Sequence, residues 1–145
     1  MDKNLSIDHQ LRATWQAVAK MYNEQASKVD STMATGFTLI SIDPDEGTPS
    51  TSLGPKMGME ATSLSRTLKS MEQRGLIERK KNPLDGRSVI ITLTDYGHEM
   101  REYSKSVVLS FDEAINKNIS DEDLATFKKV ANKMLDLISS KKIYN

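Results

Sequence analysis

Apolar residues recur along this chain with helical spacing over most of its length and with strand character in two short stretches. Leu11, Trp15, Val18 and Tyr22 fall at i, i+4, i+7 and i+11 and predict a first helix from Ile7 to Lys28. Asp30 or Ser31 is placed to cap a second helix, with Met33, Phe37 and Ile40 on its buried side. That helix must stop before Asp43-Pro44, because the residue ahead of a proline is pushed out of helical geometry. Residues 44–49 read as a polar turn. A short helix over Ser52–Met57, Gly58, and a helix from Glu60 to Gln73 follow. In the last of these Leu64, Leu68 and Met71 form the apolar stripe, leaving Ser63, Arg66, Thr67, Lys69 and Ser70 on other faces. Gly75 suits the left-handed residue that ends many helices.

The pattern then changes period. Leu76–Lys81 and Ser88–Thr94 read as two strands, joined by the loop Asn82-Pro83-Leu84-Asp85-Gly86-Arg87 with Pro and Asp-Gly turn chemistry. Thr94-Asp95 caps a long helix whose stripe is Met100, Tyr103, Val107, Phe111 and Ile115. Ser120-Asp121-Glu122-Asp123 opens a last helix with Leu124, Phe127, Ala131, Met134, Leu135 and Ile138 inward. No internal repeat or low-complexity tract interrupts this order.

Composition narrows the function. A chain of 145 residues suits one domain, with at most an oligomerisation extension. The absence of cysteine excludes disulfides and thiolate chemistry. His9 and His98, both read as solvent-facing, leave little for a transition-metal site. No apolar run approaches the roughly 18–20 residues of a membrane span. The opening Met-Asp-Lys-Asn-Leu-Ser lacks a signal peptide's basic and apolar regions, so a cytoplasmic protein is expected. Carboxylates are plentiful, but no nucleophile–base pair or phosphate-cradling glycine loop is readable. Neither enzymatic activity nor a cofactor is expected.

Twenty basic side chains balance twenty acidic ones, which on its face speaks against a nucleic-acid partner. Position changes that. Residues 1–55 carry four basic and seven acidic side chains, residues 56–87 eight and four, and residues 88–145 eight and nine. The positive excess is confined to the middle. A window of that length can fluctuate by a few charges, and alone it suits a merely solvated face.

The order short helix, glycine turn, helix, strand, basic loop, strand is that of a winged helix-turn-helix. The fold class expected is mainly α with a small β-hairpin wing (α+β), flanked by N- and C-terminal dimerisation helices. In such a fold the second helix of the pair meets base edges in the major groove. Thr62, Ser63, Ser65 and Arg66 at its front supply hydroxyls and a guanidinium that can pair with guanine. Thr62 suits an early backbone contact equally well. Lys69, and less directly Lys56, would touch phosphate, which adds affinity without sequence information. At the wing tip Arg87 can enter a narrow minor groove, where negative potential concentrates. Asp85 would orient it or tie down the loop; a hairpin-stabilising ion pair between the two is the plainer alternative, though exposed pairs contribute only roughly 0–1 kcal/mol. Arg79, Lys80 and Lys81 read first as a solvated strand edge.

Leu53-Gly54-Pro55-Lys56-Met57-Gly58 through Ser65-Arg66, then Leu68, Glu72-Gln73-Arg74-Gly75-Leu76-Ile77 and Arg79, resembles the DNA-binding core of the MarR family of bacterial regulators. So does Asp85-Gly86-Arg87 followed by Leu93-Thr94-Asp95-Tyr96-Gly97. Two departures stand out: Gly54-Pro55 replaces helix-favouring residues, which implies a short supporting helix, and Met71 replaces a leucine. The resemblance implies a single MarR-like domain over 1–145, with a DNA-binding lobe at 31–97 and a helical dimerisation region formed by 1–30 and 98–145. It implies a homodimer on a pseudo-palindromic operator in double-stranded DNA, usually repressing transcription. In many relatives a small aromatic or phenolic ligand, bound in a crevice between the two regions, releases the DNA. Trp15, Tyr22, Phe37 and Phe111 could line such a crevice, although aromatics on helical stripes more often serve a core or interface. The eight methionines are better read as flexible core filler than as oxidation sensors. A winged-helix protein-interaction module without DNA binding is the alternative; it need not keep Ser65-Arg66 or Asp85-x-Arg87.

Overall fold

The elements run α1 (Ile7–Ser27), α2 (Met33–Ser41), β1 (Thr48–Pro49), α3 (Ser50–Met57), α4 (Ala61–Gln73), β2 (Ile77–Lys81), β3 (Val89–Leu93), α5 (Asp95–Asn118) and α6 (Asp121–Ser139) in the computed structural model. The structure describes residues 6–144; the reading of residues 1–5 as free of a leader lies outside them. The chain forms two compact units, one up to Val107 and one from Val108 onward.

The first unit is built on ten buried apolar residues: Leu39, Ile42, Leu53, Leu64, Leu68, Met71, Leu76, Ile77, Ile91 and Met100. They come from α2, α3, α4, α5, the sheet and the short joints between them, so the core exists only once these elements close on one another. The stripe Leu64–Leu68–Met71 faces it as the periodicity predicts. For α2 the face differs. Thr32 rather than Asp30 or Ser31 is the cap, its hydroxyl accepting from the Thr35 N–H at 3.2 Å. Thr35, Thr38 and Leu39 are buried, while Met33, Phe37 and Ile40 are only half-buried. Spacing groups Met33, Phe37 and Ile40 on one side, but the core is met by another side, on which two of the three residues look polar. Its threonines are admissible inside because the Thr38 hydroxyl donates to the Ala34 carbonyl at 2.7 Å.

A third strand, β1, occupies what read as a polar turn. It pairs antiparallel with β3 through Thr48↔Ile91 and Pro49↔Ile90, and the sheet order is β1-β3-β2. Two residues are too few to show alternation, and Pro49 is tolerable because β1 is an edge. The turn leading into it is closed by Asp43, whose carboxylate accepts from the N–H groups of Asp45 and Glu46, each at 2.9 Å. The Glu46 and Asp45 N–H groups hold this carboxyl below its ordinary range. Pro55 lies inside α3, which is only eight residues long, as the Gly54-Pro55 departure implied.

β2 and β3 pair antiparallel from Ile77↔Leu93 to Lys81↔Val89. At the open end of this hairpin the chain makes a clasp. Gly75 takes φ 75°, turning the end of α4 sharply into β2. The Thr94 hydroxyl donates to the Gly75 carbonyl and accepts from the Gly97 N–H at 3.0 Å, capping α5. Thr94 N–H donates to the Leu76 carbonyl at 3.1 Å. Gly97 is buried directly against that carbonyl, and a Cβ there would collide with it.

The end of α1 is tied into this unit. Tyr22 meets Phe37 edge-to-face at 5.6 Å, Asn23 accepts from the Met33 N–H at 2.9 Å, and Tyr103 donates to the Gln25 carbonyl at 2.8 Å. The front of the same helix is uncovered: Leu11 and Trp15 from its predicted stripe are exposed, Trp15 at 53%. In the second unit Ser120 caps α6, accepting from the Asp123 N–H at 3.1 Å. The α6 stripe is split. Leu124, Ala131 and Met134 are half-buried, whereas Phe127 (65%), Leu135 (62%) and Ile138 (61%) are exposed; Leu137, outside the predicted stripe, is half-buried, and α6 buries no residue fully.

The clasp gives a stability prediction. Gly97→Ala should cost about 1–3 kcal/mol or more, since the added methyl meets backbone that cannot yield. Gly86→Ala, where the new atom meets nothing within 4 Å, should leave the denaturation midpoint unchanged in urea titrations of both variants.

Candidate nucleic-acid interface

Helix α4 carries the candidate readers. With the Leu64–Leu68–Met71 stripe buried, a turn of 3.6 residues sends Thr62, Arg66, Lys69 and Gln73 to the opposite side, with Ser63 and Ser65 on either flank. All six are exposed. Thr67, by contrast, is half-buried and its hydroxyl donates to the Ser63 carbonyl at 3.1 Å. The guanidinium of Arg66 and the ammonium of Lys69 have no ion-pair or hydrogen-bond partner among the described residues. Ser70, already placed off the stripe, is exposed too, and Gln73, which was not singled out from sequence, faces outward by the same periodicity.

Lys56 does something else. Its ammonium donates to the Ser41 carbonyl at 2.8 Å, satisfying the last turn of α2. It therefore braces the support of α4 instead of standing free for phosphate. Arg79 pairs with Glu72 across the α4–β2 joint at 3.4 Å, both partly exposed; such a pair contributes little to stability. Lys80 and Lys81 remain exposed on β2.

The wing loop is held by two consecutive side-chain turns. Asn82 is buried; its carbonyl oxygen accepts from the Leu84 N–H at 3.0 Å, and its amide donates to the buried Ser88 hydroxyl at 2.9 Å. Asp85 accepts from the Arg87 N–H at 2.9 Å, and the Ser88 N–H reaches the Asp85 carbonyl at 3.3 Å. Both are turns in which an Asn or Asp side chain bonds the backbone two residues on. Asp85 thus ties down the loop through the Arg87 backbone. Its carboxylate forms no ion pair with the Arg87 side chain, which is exposed and unpartnered among the described residues. Sequence reasoning missed Asn82, although Asn-Pro ahead of a hairpin loop carries the signal.

His98 is exposed, but His9 is half-buried. Among the described residues no group of His, Asp and Glu side chains could hold a metal ion. No helix among the described residues is long and apolar enough to cross a membrane.

A helix on a three-element support, presenting uncommitted cations beside a pinned basic hairpin, defines a winged helix-turn-helix DNA-binding transcriptional regulator. Residues 31–89 match the model of the MarR family, whose members are transcriptional regulators and not enzymes. The organic hydroperoxide resistance transcriptional regulator of Bacillus subtilis is 28% identical over 131 residues, covering 90% of this chain and 88% of its own length. A crystal structure of a mutant Escherichia coli MarR complexed with operator DNA superposes with a TM-score of 0.79 at 25% identity, covering 89% of this chain and 93% of that one. The PcaV regulator of Streptomyces coelicolor with its natural ligand shares the fold, with a TM-score of 0.78 at 19% identity and coverage of 94% and 96%.

The two wing turns separate by substitution. Asp85→Asn keeps the accepting oxygen and should preserve protection of the Arg87 amide in hydrogen exchange. Asp85→Ala should lose that protection while leaving the β2–β3 amides protected.

Proposed function

We propose that the chain is a homodimeric repressor. Residues 31–97 serve as its DNA-binding lobe, and the helical segments before and after dimerise. Each subunit lays α4 in the major groove and its wing in the adjacent minor groove of a pseudo-palindromic operator. The observation that carries this reading is the set of cations left uncommitted: Arg66 and Lys69 on the outward face of α4 and Arg87 on a loop fixed by its own backbone. Building three exposed cations without partners has no use inside the monomer, whereas phosphates and guanine edges supply the partners they lack. Thr62, Ser63 and Ser65 contact DNA beside Arg66, and Asp85 contributes by holding Arg87 in place. The E. coli MarR complex with operator DNA, similar in fold, supports a DNA-binding role here.

Dimerisation is supported by the apolar residues that the single chain leaves in water. Trp15 and Leu11 on α1, and Phe127, Leu135 and Ile138 on α6, are more than half exposed. A second copy related by a two-fold axis would cover them and match two half-sites about one helical turn apart. Release by a small aromatic or phenolic ligand completes the proposal, by likeness to PcaV with its natural ligand. With no cysteine in the sequence, such release needs no thiol, and a response to hydroperoxides could not run through one. The regulator acts on cytoplasmic DNA.

Gel-shift and anisotropy titrations on the DNA upstream of its own gene test this. Arg66→Ala and Arg87→Ala should weaken binding at least tenfold with folding intact, the loss expected for a guanidinium on a base edge or in a groove. Unchanged affinity in both variants overturns the site. Lys69→Ala should weaken cognate and unrelated duplexes equally and reduce the salt slope by about one. In sedimentation, the wild type should run at twice the chain mass and the double variant Phe127→Asp/Leu135→Asp as a monomer; a monomeric wild type would refute the dimer.

A further inference from the structure

Leu84 is 94% exposed, more than any other large apolar residue among those described. A lone exposed leucine on a surface needs no explanation, but this one is not loosely placed. Its N–H is bound by Asn82, whose own side chain is buried and anchored to Ser88. Pro83 fixes φ immediately before it. Three residues on, the Asp85 turn fixes Arg87 in the same loop. The wing therefore holds an apolar side chain and a guanidinium on one rigid tip, and the strand leading to it carries exposed Lys80 and Lys81. That charge suits a polyanion rather than an apolar protein surface.

We infer that Leu84 is a DNA-contacting residue, packing on the deoxyribose wall of the minor groove that Arg87 enters. This rests on the DNA-binding reading above. The groove's rim is lined by sugar C–H groups, which an aliphatic side chain can cover with release of water. Arg87 supplies attraction to the floor and phosphates, while Leu84 supplies contact without charge. The two contributions therefore differ in their dependence on salt. Removing a guanidinium lessens counterion release, and removing a leucine does not.

Anisotropy titrations of the full chain on the DNA upstream of its gene, repeated across a sodium chloride series, separate them. Leu84→Ser should weaken binding about 3- to 10-fold, as expected for partial burial of one leucine. The slope of log Kd against log salt should stay that of the wild type. Leu84→Met, which keeps the aliphatic bulk, should restore affinity, and the melting temperature should be unchanged in both variants. Arg87→Ala should weaken binding and flatten the slope by about one. Wild-type affinity in Leu84→Ser alongside weakened Arg87→Ala would overturn the role of Leu84 and leave the regulator reading standing. An altered salt slope in Leu84→Ser would also overturn it. Failure of the wild type to bind the duplex at all would remove both.

Discussion

The contact between Gly97 and the Leu76 carbonyl is the constraint on which the first unit turns. It forces the start of α5 down onto the joint where α4 becomes β2, at a separation that no side chain could share. Thr94 completes the arrangement by bonding Gly75 on one side and Gly97 on the other. The end of α4, the base of the wing and the start of α5 are thus one node, meeting through packed backbone.

From that node the division of labour among the charges follows. Lys56 and Arg79, which looked like members of the basic segment, are spent within the fold: one on the last carbonyls of α2, the other on Glu72 beside β2. Arg66, Lys69 and Arg87 are not. The acidic segments on either side of the basic stretch also oppose indiscriminate attraction to polyanions. The wing solves the same problem at smaller scale. Asp85 adds a negative charge next to Arg87, yet its oxygen bonds the backbone, fixing the loop without neutralising the guanidinium.

Much of this was legible in the amino-acid order. The stripe Leu64–Leu68–Met71, the glycine after α4, the two strands and the loop between them follow from periodicity and turn chemistry, because each is decided by neighbours within a few residues. The exposed face of α4 followed from the same stripe. What failed to show were features made by distant partners. β1 exists only because Ile90 and Ile91 offer it an edge. The inner face of α2 was misread because Thr35 and Thr38 look polar in sequence, and the latter becomes core only with its hydroxyl turned back to Ala34.

The sequence by itself determined which elements form and where the charge is concentrated, since spacing, capping and β-branching act locally. The tertiary structure alone decided which charges remain free. Lys56, Lys69, Arg79 and Arg87 are chemically similar letters in one basic stretch, and only the approach of Ser41 and Glu72 across the fold commits two of them. It also decided that the apolar stripes of α1 and α6 would split between packed and uncovered residues. Periodicity marks an apolar face, but how much of that face meets another surface depends on segments remote in the chain.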